Sequence, residues 1–228
     1  MHAQTAKVAR QPAKKPARRR KNLRSADREK VILEAAIGFF AEHGFGGQTR
    51  ELAKRIGITH SAIYRHFPSK EALIERVYEH VYLSRWQDHW ATLIKDRSRP
   101  LEARLAQFYR EYAERIFNYE WVRIFVFSGM KSFDITSRYL AIVAERIIVP
   151  AVIEARKELG LPPPARVPIT ERERELFWGL HGRIFYIAIR KFVYGTPVPD
   201  KLDDVIADAT HEFMAGAPHV LRRIVKTK

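Results

Sequence analysis

Apolar side chains recur at steps of three and four residues along most of the chain, which is the period of an α-helix with one buried face. A clear example begins at Ser25, where the apolar positions are Ile32, Ala35, Ala36, Phe39 and Phe40. No segment alternates apolar and polar residues for long enough to predict a β-strand. The pattern therefore predicts an all-α fold with about nine helices.

Three helices are predicted near the N-terminus, over residues 25–43, 48–56 and 59–66. A glycine follows each of the first two, and Thr59 is positioned to cap the third. Two short helices braced by a longer one are the layout of a helix-turn-helix unit, whose second helix enters the major groove of DNA. The same spacing also fits an ordinary helical hairpin with solvated charges.

The core of this unit is predicted from its apolar positions, which are Phe39, Leu52, Ile58, Ile63 and Phe67. Burying these side chains turns the other positions of the third helix outward, namely His60, Ser61, Ala62, Tyr64 and Arg65. A surface that carries polar and basic groups on a short helix is suited to reading a nucleic acid.

Longer helices are predicted in the rest of the chain. The fourth starts after Ser69 and carries an apolar stripe that continues, less regularly, to Trp90. Another helical period spans residues 101–116. Residues 131–159 predict a helix that must bend or break at Pro150, because proline lacks the N–H that its turn needs.

Two further helices are predicted near the C-terminus. Thr170 and Glu173 have the spacing of a capping box, which opens a strongly apolar helix to about Tyr194. A last helix begins at Asp200 and runs towards Val225.

The formal charge of the chain is +15, and most of the excess lies at the N-terminus. Residues 1–24 contain no acidic side chain and nine basic ones: Lys7, Arg10, Lys14, Lys15, Arg18, Arg19, Arg20, Lys21 and Arg24. Few large apolar residues accompany them, so this segment predicts a disordered arm. Such an arm favours a polyanionic partner, although it could also be a solvated tail that only aids solubility.

Several classes of function are excluded or disfavoured by composition. The absence of cysteine excludes disulfide scaffolds, cysteine-ligated zinc and thiol redox chemistry. No signal peptide or membrane-length apolar run is present, so we expect a soluble, cytoplasmic protein. The histidine, serine and acidic residues form no familiar catalytic or metal-binding pattern, so the sequence predicts no enzyme, no metal site and no cofactor.

Residues 44–73 combine several motifs in a fixed order, in the sequence GFGGQTRELAKRIGITHSAIYRHFPSKEAL. A Thr-Arg helix start is followed by Leu-Ala, Gly-Ile-Thr, Ile-Tyr-x-His-Phe and Ser-Lys-Glu-x-Leu. Together with the flanking residues from Glu29 to Glu75, this order resembles the DNA-binding domain of the TetR (tetracycline repressor) family. The resemblance covers about a fifth of the chain.

The resemblance implies a role for individual side chains at the DNA. Tyr64 and Lys70 would bind phosphates, Thr49 would touch the DNA backbone, and Arg50 would reach a base edge, where a guanidinium can bind guanine O6 and N7. The remaining candidate DNA contacts are His60, Ser61, Ala62, Arg65 and His66, with Ala62 suited to a thymine methyl. The operator sequence cannot be carried over, because Gln48 and the Ser61-Ala62 pair differ from residues frequent in the family.

Aromatic residues are dense in the C-terminal two-thirds, where most are expected to be core. A minority could line a ligand cleft between helices. The candidate lining residues are Phe108, Trp121, Phe125, Tyr139, Trp178, His181 and Phe185. Arg123, Arg146 and Arg183 are further candidate anchors, although each is also explained as an ordinary surface or core residue.

The last two predicted helices are apolar on more than one face. A core within one subunit would explain this, but the resemblance implies that these helices form a four-helix dimer interface. A two-fold reader needs such a dimer to bind both halves of a palindromic operator on double-stranded DNA.

These features predict three regions: the basic arm over residues 1–24, a helix-turn-helix domain over 25–71, and a ligand-binding and dimerisation domain over 72–228. The predicted function is a homodimeric transcriptional regulator, a repressor released from its operator by a small, largely apolar effector. One alternative is a ligand-independent helix-turn-helix DNA-binding protein. The other is an all-α protein with an incidental helix-turn-helix that acts as a carrier of lipids or small molecules, or as an enzyme.

Overall fold

A computed structural model describes residues 25–130 and 133–226, and within these ranges the regular secondary structure is helical, with no strand. The arm predicted over residues 1–24 lies outside the described residues. The helices are α1 (Ser25–His43), α2 (Thr49–Arg55), α3 (His60–Tyr64), α4 (Lys70–Val81), α5 (His89–Lys95), α6 (Leu101–Ile116), α7 (Tyr119–Gly129), α8 (Ile135–Val143), α9 (Val149–Glu158), α10 (Glu171–Phe192) and α11 (Leu202–Lys226). A π-helical turn joins α8 to α9 without a break, and the all-α prediction is confirmed.

The N-terminal helices pack as the apolar pattern predicts. Phe39, Leu52, Ile63 and Phe67 are buried, and Ile58 packs against them. Gly44 and Gly57 end α1 and α2 with φ angles of 66° and 68°, a left-handed backbone that glycine adopts without strain. This small core fixes the orientation of α3 relative to α1.

The predicted fourth helix is shorter than the sequence pattern suggests. Ser69 caps α4 through a hydrogen bond from the backbone N–H of Ala72 (3.0 Å), but α4 ends at Val81 instead of continuing to Trp90. The step of five residues from Val81 to Trp86 rotates the apolar stripe away from the core. A 3₁₀ turn and the separate helix α5 return Trp90 to a fully buried position.

The irregularity in the helix predicted over residues 131–159 lies before Pro150 and not at it. Residues Ala144–Ile148 form the π-helical turn, and Pro150 then lies in the first turn of α9, where a missing N–H breaks no helical hydrogen bond. A second proline, Pro218, lies inside α11 without ending it.

The start of α10 is fixed by the predicted capping box. Thr170 and Glu173 bond to each other's backbone N–H groups. Glu173 is also held by Arg156 of α9, whose Nε and Nη2 atoms donate to the carboxylate over 2.6 and 2.7 Å, with both side chains buried. This pair anchors the loop between α9 and α10.

One continuous apolar core joins the N-terminal helices to the rest of the chain. It extends from Ile32 in α1 to Leu221 in α11, and α1 packs directly against α7. The predicted domain boundary after residue 71 falls within the first turn of α4. None of the helices in the described ranges is both long and apolar enough to cross a membrane.

Candidate nucleic-acid interface

A buried threonine connects α2 to α3. The hydroxyl of Thr49 lies 2.9 Å from Nε2 of His60 and 2.9 Å from the hydroxyl of Tyr64. The His60 and Tyr64 rings also pack edge to face, with centroids 4.9 Å apart. Because α3 is only five residues long, these contacts and the apolar underside of Ile63 hold it in place.

Thr49 itself is 6% exposed, so its hydroxyl faces the inside of the domain. The predicted contact between this side chain and the DNA backbone is therefore disfavoured by its burial. Its position instead orients two other predicted contact residues, His60 and Tyr64.

Four of the predicted contact residues face outward or lie partly exposed beside this junction. Arg50, Ser61 and Arg65 are exposed, and His66 is half-buried. Within residues 25–130 and 133–226, the guanidinium group of neither Arg50 nor Arg65 forms a hydrogen bond or an ion pair. Both guanidinium groups are thus available to an external acceptor.

Ala62 is a correction to the outward surface predicted from the sequence. It is only 8% exposed, because it packs with Ile63 on the inner side of the short helix. The side chain of Ala62 therefore offers little accessible surface for the predicted contact with a thymine methyl. The error arose because five residues make barely more than one helical turn, and such a segment gives no reliable period.

Lys70 lies at the start of α4 and bridges to the turn before α2. Its Nζ donates to the carbonyl oxygen of Gly47 over 2.8 Å. An ammonium group has three N–H donors, so this bond is compatible with a further acceptor such as a phosphate. The sequence did not predict this bridge, which links α4 to the α1–α2 turn.

An ion pair connects α2 to α1. Both terminal nitrogens of Arg55 donate to the carboxylate of Glu42 over 2.7 Å. Hydrogen bonding and the charge of Arg55 lower the pKa of Glu42, whose side chain is exposed. The pair is exposed and adds little to stability, but it ties α2 to α1.

A cleft of about 250 Å³ lies among α6, α7, α8 and α10. Five of the seven predicted lining residues meet there: Trp121, Phe125, Trp178, His181 and Phe185. Tyr112, Leu140, Glu175 and Gly182 complete the lining. Tyr112 belongs to the apolar stripe of α6, but a stripe alone does not distinguish a cleft wall from a core position.

The other two predicted lining residues are core residues. Phe108 is fully buried and packs edge to face on Trp90, with ring centroids 5.5 Å apart. Tyr139 is buried behind the wall, where it meets Trp121 and Phe125 edge to face. Neither lines the cleft, to which α6 contributes Tyr112 and α8 contributes Leu140.

The three candidate arginine anchors are engaged elsewhere. Arg123 donates through Nε to the carbonyl oxygen of Ala41, at the end of α1, over 2.7 Å. Arg146 pairs with Asp88, and Arg183 pairs with Glu212. None of these three arginines therefore lines the cleft.

Comparison with known proteins adds to this geometry. Residues 32–77 match the family model described as bacterial regulatory proteins, tetR family. Over 57 residues the chain is 39% identical to the uncharacterized HTH-type transcriptional regulator YuxN of Bacillus subtilis, covering 25% of this chain and 20% of that protein. It is 46% identical over 57 residues to the nucleoid occlusion factor SlmA of Haemophilus ducreyi, covering 22% of this chain and 28% of that protein.

The sequence matches thus span about a fifth to a little over a quarter of the curated relatives. Similarity in fold covers a larger share of the chain than the sequence matches do. A TetR family transcriptional regulator from Pseudomonas syringae pv. tomato superimposes with a TM-score of 0.55 at 18% identity, over 83% of this chain and 95% of that chain. Residues 32–77 are thus similar in sequence to bacterial regulatory proteins of the tetR family, and the described chain shares the fold of the regulator from Pseudomonas syringae pv. tomato.

Proposed function

We propose that the protein is a homodimeric repressor that binds a palindromic operator in the cytoplasm and is released by a small effector. The observation that carries this proposal is the junction at Thr49, which ties α3 to α2, while the exposed guanidinium groups of Arg50 and Arg65 beside it have no partner among the described residues. A fixed helix flanked by uncommitted guanidinium groups is suited to a DNA groove, because basic side chains can then meet phosphates and base edges without rearrangement.

Within this proposal, each side chain has a distinct role. Arg50 reads a base, while Tyr64 and Lys70 bind phosphates that set the register of α3. Thr49 acts indirectly, because its hydroxyl orients His60 and Tyr64. The remaining predicted contacts, Ser61, Arg65 and His66, take base or phosphate acceptors according to the operator.

The surface formed by α10 and α11 supports the proposed dimer. A shallow groove between these helices is lined by Leu176, Gly179, Leu180, Ala209 and Phe213 and is bordered by the Arg183–Glu212 pair. Tyr186 adds an exposed aromatic ring on α10. Small and apolar residues on paired helices permit close packing against the same helices of a second subunit.

The connection between the cleft and the DNA-binding helices supports release by an effector. Leu140 of α8 lines the cleft, and two residues earlier Arg138 donates to both carboxylate oxygens of Glu75 in α4, over 2.8 and 2.7 Å. A ligand that displaces α8 therefore also displaces α4 through this pair, and α4 carries Lys70 at its first position. Such a ligand acts only if it binds the two positions of α4 with different affinity.

Selection of bound duplexes from a random pool, using the full-length protein, tests this function. We expect one palindromic motif with half-sites about one helical turn apart or a multiple of that distance. Arg50→Ala should reduce discrimination between the selected and scrambled duplexes by about 1–3 kcal/mol. Arg172→Ala, an exposed arginine on α10, is the matched control and should leave discrimination unchanged.

The same assays separate the alternatives. Specific binding that no extracted small molecule alters would favour a ligand-independent DNA-binding protein. Failure to bind any duplex at physiological salt would favour a carrier or an enzyme. Deleting residues 1–24 tests the arm: if six of its charges meet phosphates, the full-length chain has a salt dependence steeper by about five per subunit.

A further inference from the structure

Arg123 on α7 binds the C-terminal ends of two other helices. Its Nε donates to the carbonyl oxygen of Ala41 in α1 over 2.7 Å, and its Nη1 donates to the carbonyl oxygen of Phe192 in α10 over 3.4 Å. Both carbonyls belong to the last turn of their helices, where no further helical N–H follows to bond them. A guanidinium suits this position, because it is always charged and a helix C-terminus carries partial negative charge. One side chain therefore joins α1, α7 and α10.

Two aromatic rings of α7 flank this guanidinium. Its central carbon lies 5.0 Å from the centre of the Tyr119 ring and 5.3 Å from the centre of the Phe127 ring. Phe127 also packs on the turn after α1, since a Cβ at Gly44 would lie only 3.1 Å from its ring. Thus α7 holds the end of α1 at two neighbouring points, the Ala41 carbonyl through Arg123 and Gly44 through Phe127.

The helices that Arg123 joins lead to the two functional surfaces of the proposed regulator. After α1 come a short turn and then α2 and α3, which carry most of the predicted DNA contacts. On the other side, α10 is an unbroken helix of 22 residues, about 33 Å long. Leu176, Gly179 and Leu180 of α10 line the groove proposed as the dimer surface. Arg123 therefore connects the DNA-binding helices directly to a helix of the proposed dimer interface.

A two-fold DNA reader is sensitive to the separation of its recognition helices. One additional base pair between two half-sites moves them apart by about 3.4 Å and rotates one against the other by about 35°. A dimer whose DNA-binding helices are firmly attached cannot follow both changes, whereas loosely attached helices can. The strength of the attachment therefore determines how strictly the dimer selects half-site spacing.

We propose that Arg123 determines which separation of operator half-sites the dimer accepts, by tying α1 to α10. This is a positioning role, since Arg123 is not among the predicted DNA contacts. The inference rests on the proposed function for the dimer and its palindromic operator. Apolar packing joins α1 to α7 as well, so Arg123 has this role only if its hydrogen bonds add to the placement that packing provides.

Binding to duplexes of different half-site spacing tests this role in the full-length protein. The selected operator is compared, at one salt concentration, with versions that have one or two base pairs added or removed at the centre. In Arg123→Ala we expect the preference for the selected spacing to fall about threefold to tenfold, as for the loss of one hydrogen bond. Base changes within a half-site should cost the same as in the wild type. An affinity that falls equally at every spacing would show a purely structural role and overturn the inference.

Arg110→Ala is the matched control for these measurements. Arg110 is an exposed arginine on α6, and its guanidinium has no hydrogen-bond or ion-pair partner among the described residues. This variant removes the same charge from the protein and should keep the spacing preference of the wild type. A preference that falls equally in both variants would assign the effect to net charge and not to the tie at Arg123.

The absence of cysteine from the chain allows a second test that needs no DNA. A nitroxide label at Ser61→Cys, an exposed position on α3, reports the distance between the α3 helices of the two subunits by pulsed electron paramagnetic resonance. We expect one narrow distance peak, and a broader or displaced peak when Arg123→Ala is added. Arg123→Lys keeps the charge without the planar fork and should broaden the peak less, which preserves the test if Arg123→Ala folds poorly. An unchanged peak in both variants would overturn the inference.

The two measurements separate this inference from the proposed function. If Arg123→Ala broadens the distance peak but no duplex is selected, the repressor function fails and the positioning role stands. If a palindromic operator is selected and Arg123→Ala leaves its spacing preference intact, the positioning role fails and the DNA-binding function stands. A labelled protein that gives no distance between subunits would be a monomer, which contradicts both.

Discussion

The guanidinium of Arg138 lies 4.1 Å from the centre of the Tyr78 ring while both its terminal nitrogens donate to Glu75. Arg138 on α8 thus contacts two residues of α4, Glu75 and Tyr78. The same helix contributes Leu140 to the lining of the cleft. Hydrogen bonding from Arg138 lowers the pKa of Glu75, so the carboxylate is charged near neutral pH. Because the pair is partly exposed, it adds little to stability, and its main effect is to hold α8 in a fixed position against α4.

Replacing this residue should weaken communication between the two regions. In Arg138→Ala we expect operator affinity without effector to change little, while the loss of affinity caused by effector falls several-fold, as expected when a coupling of 1–3 kcal/mol is reduced. Fluorescence anisotropy on labelled operator measures both. Arg174→Ala removes a pair with Glu171 within one helix and should leave the response intact; an equal loss in both variants would refute the assigned link.

The hydroxyl of Thr49 should matter for every DNA sequence. Thr49→Val keeps the shape of the side chain but removes the group shared by His60 and Tyr64, so α3 loses two ties. Each neutral hydrogen bond is worth about 0.5–1.5 kcal/mol, which predicts a loss of several-fold to about a hundredfold in affinity for specific and scrambled duplexes alike. Thr92→Val, at an exposed position on α5, is the control. Unchanged DNA binding in a folded Thr49→Val protein would show that α3 needs neither bond.

Gly47 should tolerate no side chain. A Cβ there would lie 2.5 and 2.8 Å from two ring atoms of Phe39, which is buried and cannot move without disturbing the core. Gly47→Ala should therefore lower the free energy of unfolding by about 1–3 kcal/mol. Gly38→Ala in α1 meets nothing within 4 Å and should raise it by up to about 1 kcal/mol. Urea unfolding at one protein concentration compares the two, and similar effects would contradict the packing of Phe39.

Stability should depend on pH through His181. Its pKa in the folded chain is about 4, below its ordinary value of 6.5, because burial disfavours the charged form. Between these pH values the unfolded chain binds more protons, so stability is present at higher pH and is lost as pH falls from 6.5 towards 4. The difference corresponds to about 3 kcal/mol.

Urea unfolding as a function of pH isolates this contribution. His181→Phe should remove most of the slope between pH 6.5 and 4, whereas replacing the exposed His219 by phenylalanine should not. An unchanged slope in His181→Phe would mean that the imidazole is hydrated or paired in the folded state.

Local patterns predicted most of the helices correctly, because the signals involved are carried by neighbouring residues. Ser69 and Thr170 cap helices where they were expected to, and Gly44 and Gly57 end helices with left-handed backbone. The position of the break after Val81 could not be predicted from neighbouring residues. The break allows the side chain of Trp90 to reach the core, and the location of the core is set only when the helices pack.

The candidate sites show the same division. Residue type and spacing indicated the segment that we propose faces DNA, and five of the aromatic and histidine side chains that line the cleft. They did not reveal that Thr49 and Ala62 face inward, or that Phe108 belongs to the core. Helix periodicity assigns a side chain to a face, but only the neighbouring helix determines whether that face is covered.

The sequence by itself determined the helical class, the start and end of many helices and the nature of the N-terminal unit, because caps, glycines and apolar periods act over a few residues. Tertiary structure decided which polar groups became partners across the chain, such as Arg138 with Glu75 and Lys70 with the Gly47 carbonyl. Among the residues that the structure describes, it also left the buried Nδ1 of His181 without a hydrogen-bond partner. These outcomes depend on distances between residues far apart in sequence, which are set only when the helices pack.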